Sequence, residues 1–231
     1  MNFFEIYEKL FDKFGEQHWW PGDTAFEIIV GAILTQQASW KNVEAAIKNL
    51  KNNKVLDEKT IYKIELKNLE ELVRPSGFYR IKAKRLKNFV NFLFEKYDGS
   101  LEKLFSLKKN ELRKELLSVN GIGKETADSI VLYAANKPSF VVDAYTIRIF
   151  NRLGILKEKE YDKVKAAFEN NLPQDVQLYK EYHALIVNLG KNICKTKPLC
   201  DICPLKEMCE HAATNNNHLK EKSKRSEKGF K

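Results

Sequence analysis

The sequence predicts an all-α protein. Its apolar residues recur every three or four positions along most segments, as one face of a helix requires, and no stretch alternates convincingly as a half-buried strand does. Only 10 of the 231 residues are glycine and 6 are proline, while 43% are hydrophobic, so the chain can bury a sizeable helical core. We expect two helical lobes, residues 22–134 and residues 1–21 combined with 135–213, followed by a disordered basic tail at 214–231.

Two predicted helices and a tryptophan pair form the N-terminal part. The first helix runs from Phe3 to Phe14, and we expect its apolar face to carry Phe4, Tyr7, Leu10, Phe11 and Phe14. Trp19 and Trp20 follow, and because they are adjacent they point in different directions. The second helix begins at a capping box, Thr24 with Glu27, and its predicted apolar face carries Phe26, Ile29, Val30, Ile33 and Leu34.

Two amides and an indole come where the second helix runs out. These residues are Gln36, Gln37 and Trp40. Amides exchange hydrogen bonds with base edges and an indole stacks on bases, so this helix end suits contact with nucleic acid. A polar helix end with a half-buried tryptophan is the alternative interpretation.

Several further helices are predicted in the middle of the chain. They lie at residues 43–50, 61–66 and 69–73, and a proline- and glycine-containing turn from Arg74 to Tyr79 follows them. The next helix alternates an apolar face with the basic residues Lys82, Lys84 and Arg85. That basic face suits a phosphate backbone, and a solvated helix surface is the alternative. Ser106 is predicted to begin the helix after that.

A helix-hairpin-helix is predicted at about residues 112–128. Its turn contains Gly121 and Gly123, which lack the Cβ atoms that would hold a partner away from the backbone. The second helix directs its first N–H groups and its positive dipole end toward this turn. The turn therefore suits a phosphate, although two glycines between helices often form only a tight turn.

Asp143 follows a short apolar run and precedes a segment with helical periodicity. We therefore expect it at the N-cap or in the first turn of a helix, which is a sufficient structural role by itself. The same position helps to keep a carboxylate ionised in a partly dry cleft. Beside a nucleic-acid anchor, such a carboxylate can stabilise a cationic sugar transition state. Two more helices are predicted beyond it, at residues 161–171 and 176–190.

All four cysteines of the chain lie close together near its C-terminal end. Cys194, Cys200, Cys203 and Cys209 have the spacing Cys-x5-Cys-x2-Cys-x5-Cys. In a chain that we expect inside the cell, such a cluster points to metal before disulfides, and thiolates suit either zinc or an iron–sulfur cluster. The nearby Lys195, Lys197 and Lys206 would partly offset the negative charge of such a centre.

The charge balance favours a polyanionic partner. Lys and Arg number 40 against 31 Asp and Glu, which gives a net charge of +9, part of it in the tail. No apolar run approaches the roughly 20 residues that a membrane span requires, and the N-terminal residues show no signal-peptide pattern. We expect a cytoplasmic, nucleoid-associated prokaryotic protein that acts as a monomer and has no membrane partner.

These motifs together resemble one protein family. The run Gly121-Ile122-Gly123-Lys124-Glu125-Thr126-Ala127, then Val142-Asp143 and the four cysteines, is similar to the helix-hairpin-helix DNA glycosylases of the endonuclease III superfamily. The resemblance extends from about Phe26 to Cys209. It implies a two-lobed helical fold, double-stranded DNA with a damaged base as the substrate, and a structural [4Fe–4S] cluster in the cysteine loop rather than zinc. The superfamily usually has six residues in the first cysteine gap, where this chain has five.

The resemblance also implies roles for individual residues. Gln37 matches the residue that enters the space vacated by an extruded nucleotide, and Phe78 matches a second wedge position. The hairpin residues Gly121, Gly123 and Lys124 match the DNA anchor. Asp143 matches the catalytic aspartate, which stabilises positive charge on the sugar or orients the attacking water.

One substitution predicts which reaction the chain performs. Family members that also cleave the DNA strand carry a Schiff-base lysine directly after the position of Lys124, and here that position is Glu125. Without that amine the covalent route is lost. The sequence therefore predicts a monofunctional glycosylase that hydrolyses the N-glycosidic bond.

The substrate is predicted from the aromatic residues and from a narrower resemblance. The Trp-Trp-Pro segment, Gly31 to Gln36 and Arg74 to Tyr79 resemble the 3-methyladenine branch of the superfamily, with Trp40 where the branch usually has phenylalanine. An alkylated purine is cationic, and it binds well between electron-rich indoles. Trp19, Trp20 and Trp40 are the candidates for a base pocket, and core packing is their alternative role.

Three other functions remain open on the sequence. A thymine or uracil mismatch glycosylase would also lack the Schiff-base lysine. An endonuclease III-like glycosylase with lyase activity is the function that superfamily resemblance alone would suggest, and Glu125 argues against it. A noncatalytic DNA-binding module is the alternative from a different class.

Overall fold

The structure is a computed structural model that describes residues 2–214, and no strand occurs within that range. The prediction of an all-α fold is confirmed. In chain order the helices are α1 (Phe3–Phe14), α2 (Ala25–Leu34), α3 (Trp40–Asn52), α4 (Glu58–Lys63), α5 (Leu66–Val73), α6 (Tyr79–Tyr97), α7 (Leu101–Phe105), α8 (Lys109–Leu117), α9 (Lys124–Ser129), α10 (Ala144–Leu153), α11 (Tyr161–Asn171) and α12 (Val176–Asn192). Short 3-10 turns lie at Arg74–Ser76, Cys200–Ile202 and Lys206–Met208, and a π-helical turn lies at Ile130–Ala134.

The chain divides into two compact units. One is Trp20–Val141, and the other combines residues 2–19 with 142–214. Apart from Thr214, the predicted tail at 214–231 lies outside the described residues. Among the described helices, none is both long and apolar enough to cross a membrane.

The unit Trp20–Val141 is built around α2. Eight of the ten residues of α2 are buried, so it packs on several sides, against α3, α6, α9 and the π-helical turn. Its N-terminus is capped by Thr24, whose hydroxyl oxygen accepts a hydrogen bond from the Glu27 N–H at 3.1 Å. In the predicted capping box the Glu27 carboxylate would accept a hydrogen bond from the Thr24 N–H. It accepts instead from the N–H of Asp23, at 3.0 Å, and pairs with Lys51.

The second unit packs α1, α10, α11 and α12 around an aromatic cluster. The Phe3 ring lies 5.4 Å from Phe150 and 4.8 Å from Phe168, and the Tyr182 hydroxyl donates to the Phe3 carbonyl at 2.7 Å. The predicted apolar face of α1 is therefore partly wrong. Its buried residues are Phe3, Ile6 and Leu10, whereas Phe4 and Phe11 are each 38% exposed. The helix face that contains Phe3 packs against the aromatic cluster, so the residues beside that face remain exposed.

Some predicted helix boundaries are also wrong, because short polar residues decide them. Asp57 accepts a hydrogen bond from the Thr60 N–H at 2.8 Å, so α4 begins three residues before residue 61. Ser106 follows α7 instead of beginning a helix. Its hydroxyl donates to the Lys103 carbonyl at 2.7 Å, and the next helix begins at Lys109.

Candidate functional site

The helix-hairpin-helix consists of α8, a turn and α9. Gly121 has a φ of +97°, and a Cβ there would collide with the Arg85 side chain, so the turn needs glycine at this position. Gly123 has extended backbone and is exposed, and a Cβ there would meet nothing within 4 Å. Its missing side chain therefore leaves the start of α9 open to a partner. Lys124, the first residue of α9, is exposed.

The two amides at the end of α2 have different environments. Gln36 Nε2 donates to the Gly121 carbonyl at 3.1 Å and to the Thr126 hydroxyl at 2.8 Å, while Arg85 donates to Gln36 Oε1. Gln36 is therefore tied to the hairpin and is not one of two equivalent base-contacting amides. Gln37 is exposed and has a φ of +53°.

Phe78 is the residue immediately before α6. Its side chain is 63% exposed and its φ is +45°, which is uncommon for an aromatic residue. Ile81, one turn further, is 53% exposed. Gln37 and Phe78 thus share two properties, exposure and left-handed backbone.

Lys82 is buried, so the prediction that it belongs to an exposed basic face of α6 is wrong. Only 1% of it is exposed, and its Nζ donates to the Leu34 carbonyl at 2.7 Å and to the Ser76 carbonyl at 2.6 Å. Burial, with a smaller contribution from the charge of Arg85, lowers the pKa of Lys82 to about 8. Of the predicted basic residues, Lys84 is exposed on the helix surface.

An aromatic cluster lies at the start of the unit Trp20–Val141. The rings of Trp20 and Trp40 are 5.4 Å apart and nearly perpendicular, at 88°, and the Tyr133 ring lies 5.2 Å from Trp20. Both tryptophans are half-buried, and Trp20 packs directly on Gly31, where a Cβ would be 3.2 Å from its Nε1. The two indoles are therefore not parallel but form a corner. Tyr133 was missed because it lies on the π-helical turn, outside the regular helical period.

The structure does not bring all three predicted pocket residues together within one unit. Trp19 belongs to the unit of residues 2–19 and 142–214, where it is half-buried. The chain therefore passes from one unit to the other between the two adjacent tryptophans.

Asp143 is the N-cap of α10. Its Oδ1 accepts hydrogen bonds from the Thr146 N–H at 2.7 Å and from the Thr146 hydroxyl at 2.8 Å. Its Oδ2 lies 3.9 Å from Nε2 of the buried His183, on α12. Burial lowers the pKa of His183 although the charge of Asp143 opposes this, so the imidazole is neutral near pH 7. The sequence offered no signal that placed His183 beside Asp143.

The cysteine loop is attached to α10 by two arginines. Arg148 donates to the carbonyls of Cys194 and Gly190, at 3.0 and 2.9 Å. Arg152 donates to the Cys194 sulfur at 3.3 Å and to the Lys195 carbonyl at 2.6 Å. Neither arginine was identified from the sequence. Of the three lysines predicted to offset the charge of the loop, Lys206 pairs with Asp201 at 3.0 Å.

All four cysteines are free thiols that line one cavity. Burial raises the pKa of Cys203 to about 11, and burial together with the neighbouring sulfurs raises that of Cys200. Converging buried thiols of this kind become thiolates only when a cationic centre binds. No group of three or more His, Cys, Asp or Glu side chains in residues 2–214 is arranged to hold a metal ion.

Known proteins resemble this chain along most of its length. The HhH-GPD superfamily of base excision DNA repair proteins matches residues 30–174. A protein of Methanocaldococcus jannaschii assigned as a DNA repair glycosylase is 56% identical over 209 residues, which cover 89% of this chain and 94% of that protein. Endonuclease III of Thermotoga maritima is 30% identical over 207 residues, which cover 89% of this chain and 91% of that protein.

One solved structure is similar in both sequence and fold. It is the 3-methyladenine DNA glycosylase MagIII of H. pylori, bound to 1,N6-ethenoadenine. It is 33% identical to this chain, with a TM-score of 0.72, and the match covers 83% of this chain and 98% of that one.

Proposed function

We propose, since this chain belongs to the HhH-GPD superfamily of base excision DNA repair proteins, that it is a monofunctional glycosylase for alkylated purines such as 3-methyladenine. Membership of the superfamily makes it a DNA N-glycosylase, and the finer assignment is our own. The observation that carries this assignment is the half-buried, perpendicular Trp20–Trp40 pair. The similarity to MagIII, a 3-methyladenine glycosylase, supports it.

The aromatic pair suits a cationic base for a physical reason. The face of an indole is electron-rich, so a positively charged methylated purine is attracted to it, whereas a neutral base gains only stacking. The Trp40 ring is held by a hydrogen bond from its Nε1 to Glu44, at 2.7 Å. A ring that is already oriented loses less entropy when the base binds.

In our proposal Asp143 is the catalytic residue. As the bond between the sugar and the base breaks, its electron pair leaves with the base, which is already cationic and becomes neutral. The carboxylate stabilises the positive charge that develops on the sugar, and a water molecule then adds to the sugar carbon and releases a proton. Thr146 donates two hydrogen bonds to Asp143 Oδ1, and these bonds fix the orientation of the carboxylate for this role.

Double-stranded DNA is the proposed partner. The open backbone at Gly123 and the exposed Lys124 suit a phosphate. Gln37 and Phe78 are exposed, as side chains that insert into a duplex must be. Extrusion of the damaged nucleotide would leave a gap that such residues fill.

We propose that Cys194, Cys200, Cys203 and Cys209 hold a [4Fe–4S] cluster in preference to zinc. The cavity lined by all four sulfurs supports a metal centre here, and the resemblance of the cysteine loop to that of the endonuclease III superfamily favours the cluster over zinc. The cluster would supply a structural cross-link that holds the loop against Arg148 and Arg152. Iron and sulfide analysis of the purified protein tests this, and stoichiometric zinc in place of iron would contradict it.

A second candidate is an endonuclease III-like glycosylase with lyase activity, which the similarity to the Thermotoga maritima enzyme favours. Glu125, exposed in the first turn of α9, opposes it, because a carboxylate cannot form a Schiff base. The two candidates differ in whether the protein cleaves abasic DNA and is trapped on it by borohydride. We expect that this protein neither cleaves abasic DNA nor is trapped on it by borohydride.

The proposed substrate is tested by the release of free bases from methylated DNA. We expect native protein to release 3-methyladenine, and expect Trp40→Ala to lower the rate about tenfold or more, because a desolvated cation–π contact contributes about 2 kcal/mol. Tyr62→Ala is the matched control, since Tyr62 is an aromatic residue of the same unit that lies on α4 and stacks on Phe94. Activity on a thymine or uracil mismatch without release of methylated bases would contradict the assignment, as would equal rates for the two variants.

A further inference from the structure

Lys82 connects two segments that are far apart in sequence. Its ammonium donates to the carbonyl of Leu34, the last residue of α2, and to that of Ser76, the last residue of the 3-10 turn. The loop that carries Gln37 follows the first carbonyl, and Phe78 follows the second. One side chain therefore holds together the starts of both segments.

These bonds satisfy polar groups that an apolar side chain would leave unpaired. Carbonyls at the C-terminal ends of helices have no intrahelical partner, and a buried one without a donor is costly. Burying an ammonium is costly as well, as the pKa of about 8 indicates. Because the neutral amine still carries two N–H donors, both carbonyls can remain paired when Lys82 loses its proton.

Arg85 extends the connection to the hairpin. It lies one turn after Lys82 on α6 and donates to Gln36 Oε1, while Gln36 Nε2 donates to Gly121 and Thr126. Both the nitrogen and the oxygen of the Gln36 side-chain amide are therefore hydrogen-bonded, and Gln36 directly precedes Gln37. The first two turns of α6 therefore contact the Gln37 loop, the Phe78 turn and the glycine turn.

The backbone of the two exposed residues requires such support. Left-handed backbone costs a non-glycine residue free energy and persists only where the surroundings enforce it. Gln37 and Phe78 both have this backbone, at φ of +53° and +45°. Gln37 follows the hydrogen-bonded Gln36, and Phe78 lies two residues after Ser76, whose carbonyl accepts from Lys82.

We propose that Lys82 is a positioning residue that, with Arg85 and Gln36, holds Gln37 and Phe78 at fixed places relative to the hairpin, so that both enter DNA without prior ordering. The proposal rests on the proposed function for the role of these two side chains in DNA. The hydrogen-bonded connection itself is independent of that function. Preorganisation of this kind lowers the entropic cost of insertion.

Hydrogen exchange in the DNA-free protein tests the connection. Lys82→Met removes the donors but keeps an unbranched chain of similar length, and we expect amides in residues 35–39 and 77–80 to exchange about tenfold faster or more. The matched control is Lys87→Met, because Lys87 lies on the same helix and donates to the Tyr62 carbonyl at 2.8 Å, outside both segments. Unchanged exchange in both segments would overturn the proposal. Equal acceleration in α2 would also overturn it, because that indicates a general loss of stability.

A duplex with 2-aminopurine opposite a tetrahydrofuran abasic site tests the positioning role. Insertion of a side chain unstacks the 2-aminopurine and raises its fluorescence. We expect Lys82→Met to lose most of this rise while its affinity for undamaged duplex stays within about twofold, because phosphate contacts dominate that affinity. Lys82→Arg, which keeps a cationic donor, should retain more of the signal than Lys82→Met. A full fluorescence rise in Lys82→Met would overturn the proposal.

The two proposals can fail separately. If native protein releases no alkylated base, the proposed function fails, while hydrogen exchange still reports on the connection. If native protein is active and both segments exchange normally in Lys82→Met, only the positioning role fails.

Discussion

Asp143 combines a structural and a proposed chemical role in one carboxylate. Its Oδ1 caps α10 through Thr146, and its Oδ2 is the oxygen nearer His183. Asparagine caps helices about as well as aspartate, so an asparagine at this position can keep the cap while it removes the charge. The two roles can therefore be separated by a single substitution.

We expect Asp143→Asn to lower the rate of base release by about 10²-fold or more, with the free energy of unfolding changed by less than about 1 kcal/mol. Base release and urea unfolding measure the two quantities. Asp175→Asn is the control, because Asp175 caps α12 by accepting from the Leu178 N–H at 2.6 Å. Comparable activity in the two variants would show that the Asp143 charge has no part in the reaction.

Individual site residues could be predicted from the sequence to different degrees. The N-cap position of Asp143 follows from its local neighbours, because an apolar run ends and a helical period begins there. His183 could not be assigned to it, since it reaches Asp143 only through the packing of α12 on α10. The same limit applies to Arg152 and the cysteine loop.

At the scale of elements, the hairpin shows two glycines with different purposes. Gly121 needs its positive φ and its space beside Arg85, whereas Gly123 has ordinary extended backbone and open surroundings. The sequence identified both glycines but could not separate these reasons. The backbone of the turn and the position of α6 beside it distinguish them.

We expect Gly121→Ala to lower the free energy of unfolding by about 1–3 kcal/mol, through left-handed strain and the collision with Arg85. Gly123→Ala should cost about 1 kcal/mol or less, because alanine is only a poorer N-cap. Its added methyl group should instead weaken binding to duplex DNA. Urea unfolding measures the stability of the two variants, and titration with duplex DNA measures their affinity. Equal stabilities, or unimpaired duplex binding by Gly123→Ala, would contradict this division.

Helix boundaries and faces were predicted well where the local signal is strong. Phe3–Phe14 was predicted with its observed limits. The start of α4 was missed because Asp57 acts as a cap ahead of the first buried residue, and periodicity does not register a cap. The inward direction of Lys82 was missed because a basic residue on a helix is ordinarily exposed.

For the whole molecule, Lys82 couples stability to pH. Its pKa is about 8 in the folded protein against an ordinary value near 10.5, so between these values the unfolded chain holds a proton that the native chain has lost. Stability contributed by Lys82 therefore rises as the pH increases from about 8 to about 10.5.

We expect the loss of stability caused by Lys82→Met to be larger at pH 10 than at pH 7, by on the order of 1–3 kcal/mol. Urea unfolding of native protein and variant at both pH values measures the difference, and groups common to both proteins cancel. A loss that is equal at the two pH values, or smaller at pH 10, would contradict the lowered pKa.

The sequence by itself determined the all-α class, the hairpin, the set of four cysteines and the resemblance to the HhH-GPD proteins. All four features depend on residue types and on short spacings along the chain, which can be read from local periodicity and turn residues. Only the tertiary structure decided that Trp20 and Trp40 lie against each other, that Gln36 turns toward the hairpin while Gln37 stays exposed, and that Lys82 is buried. Each of these depends on a contact between segments distant in the chain, and packing selects such contacts without leaving a local pattern in the sequence.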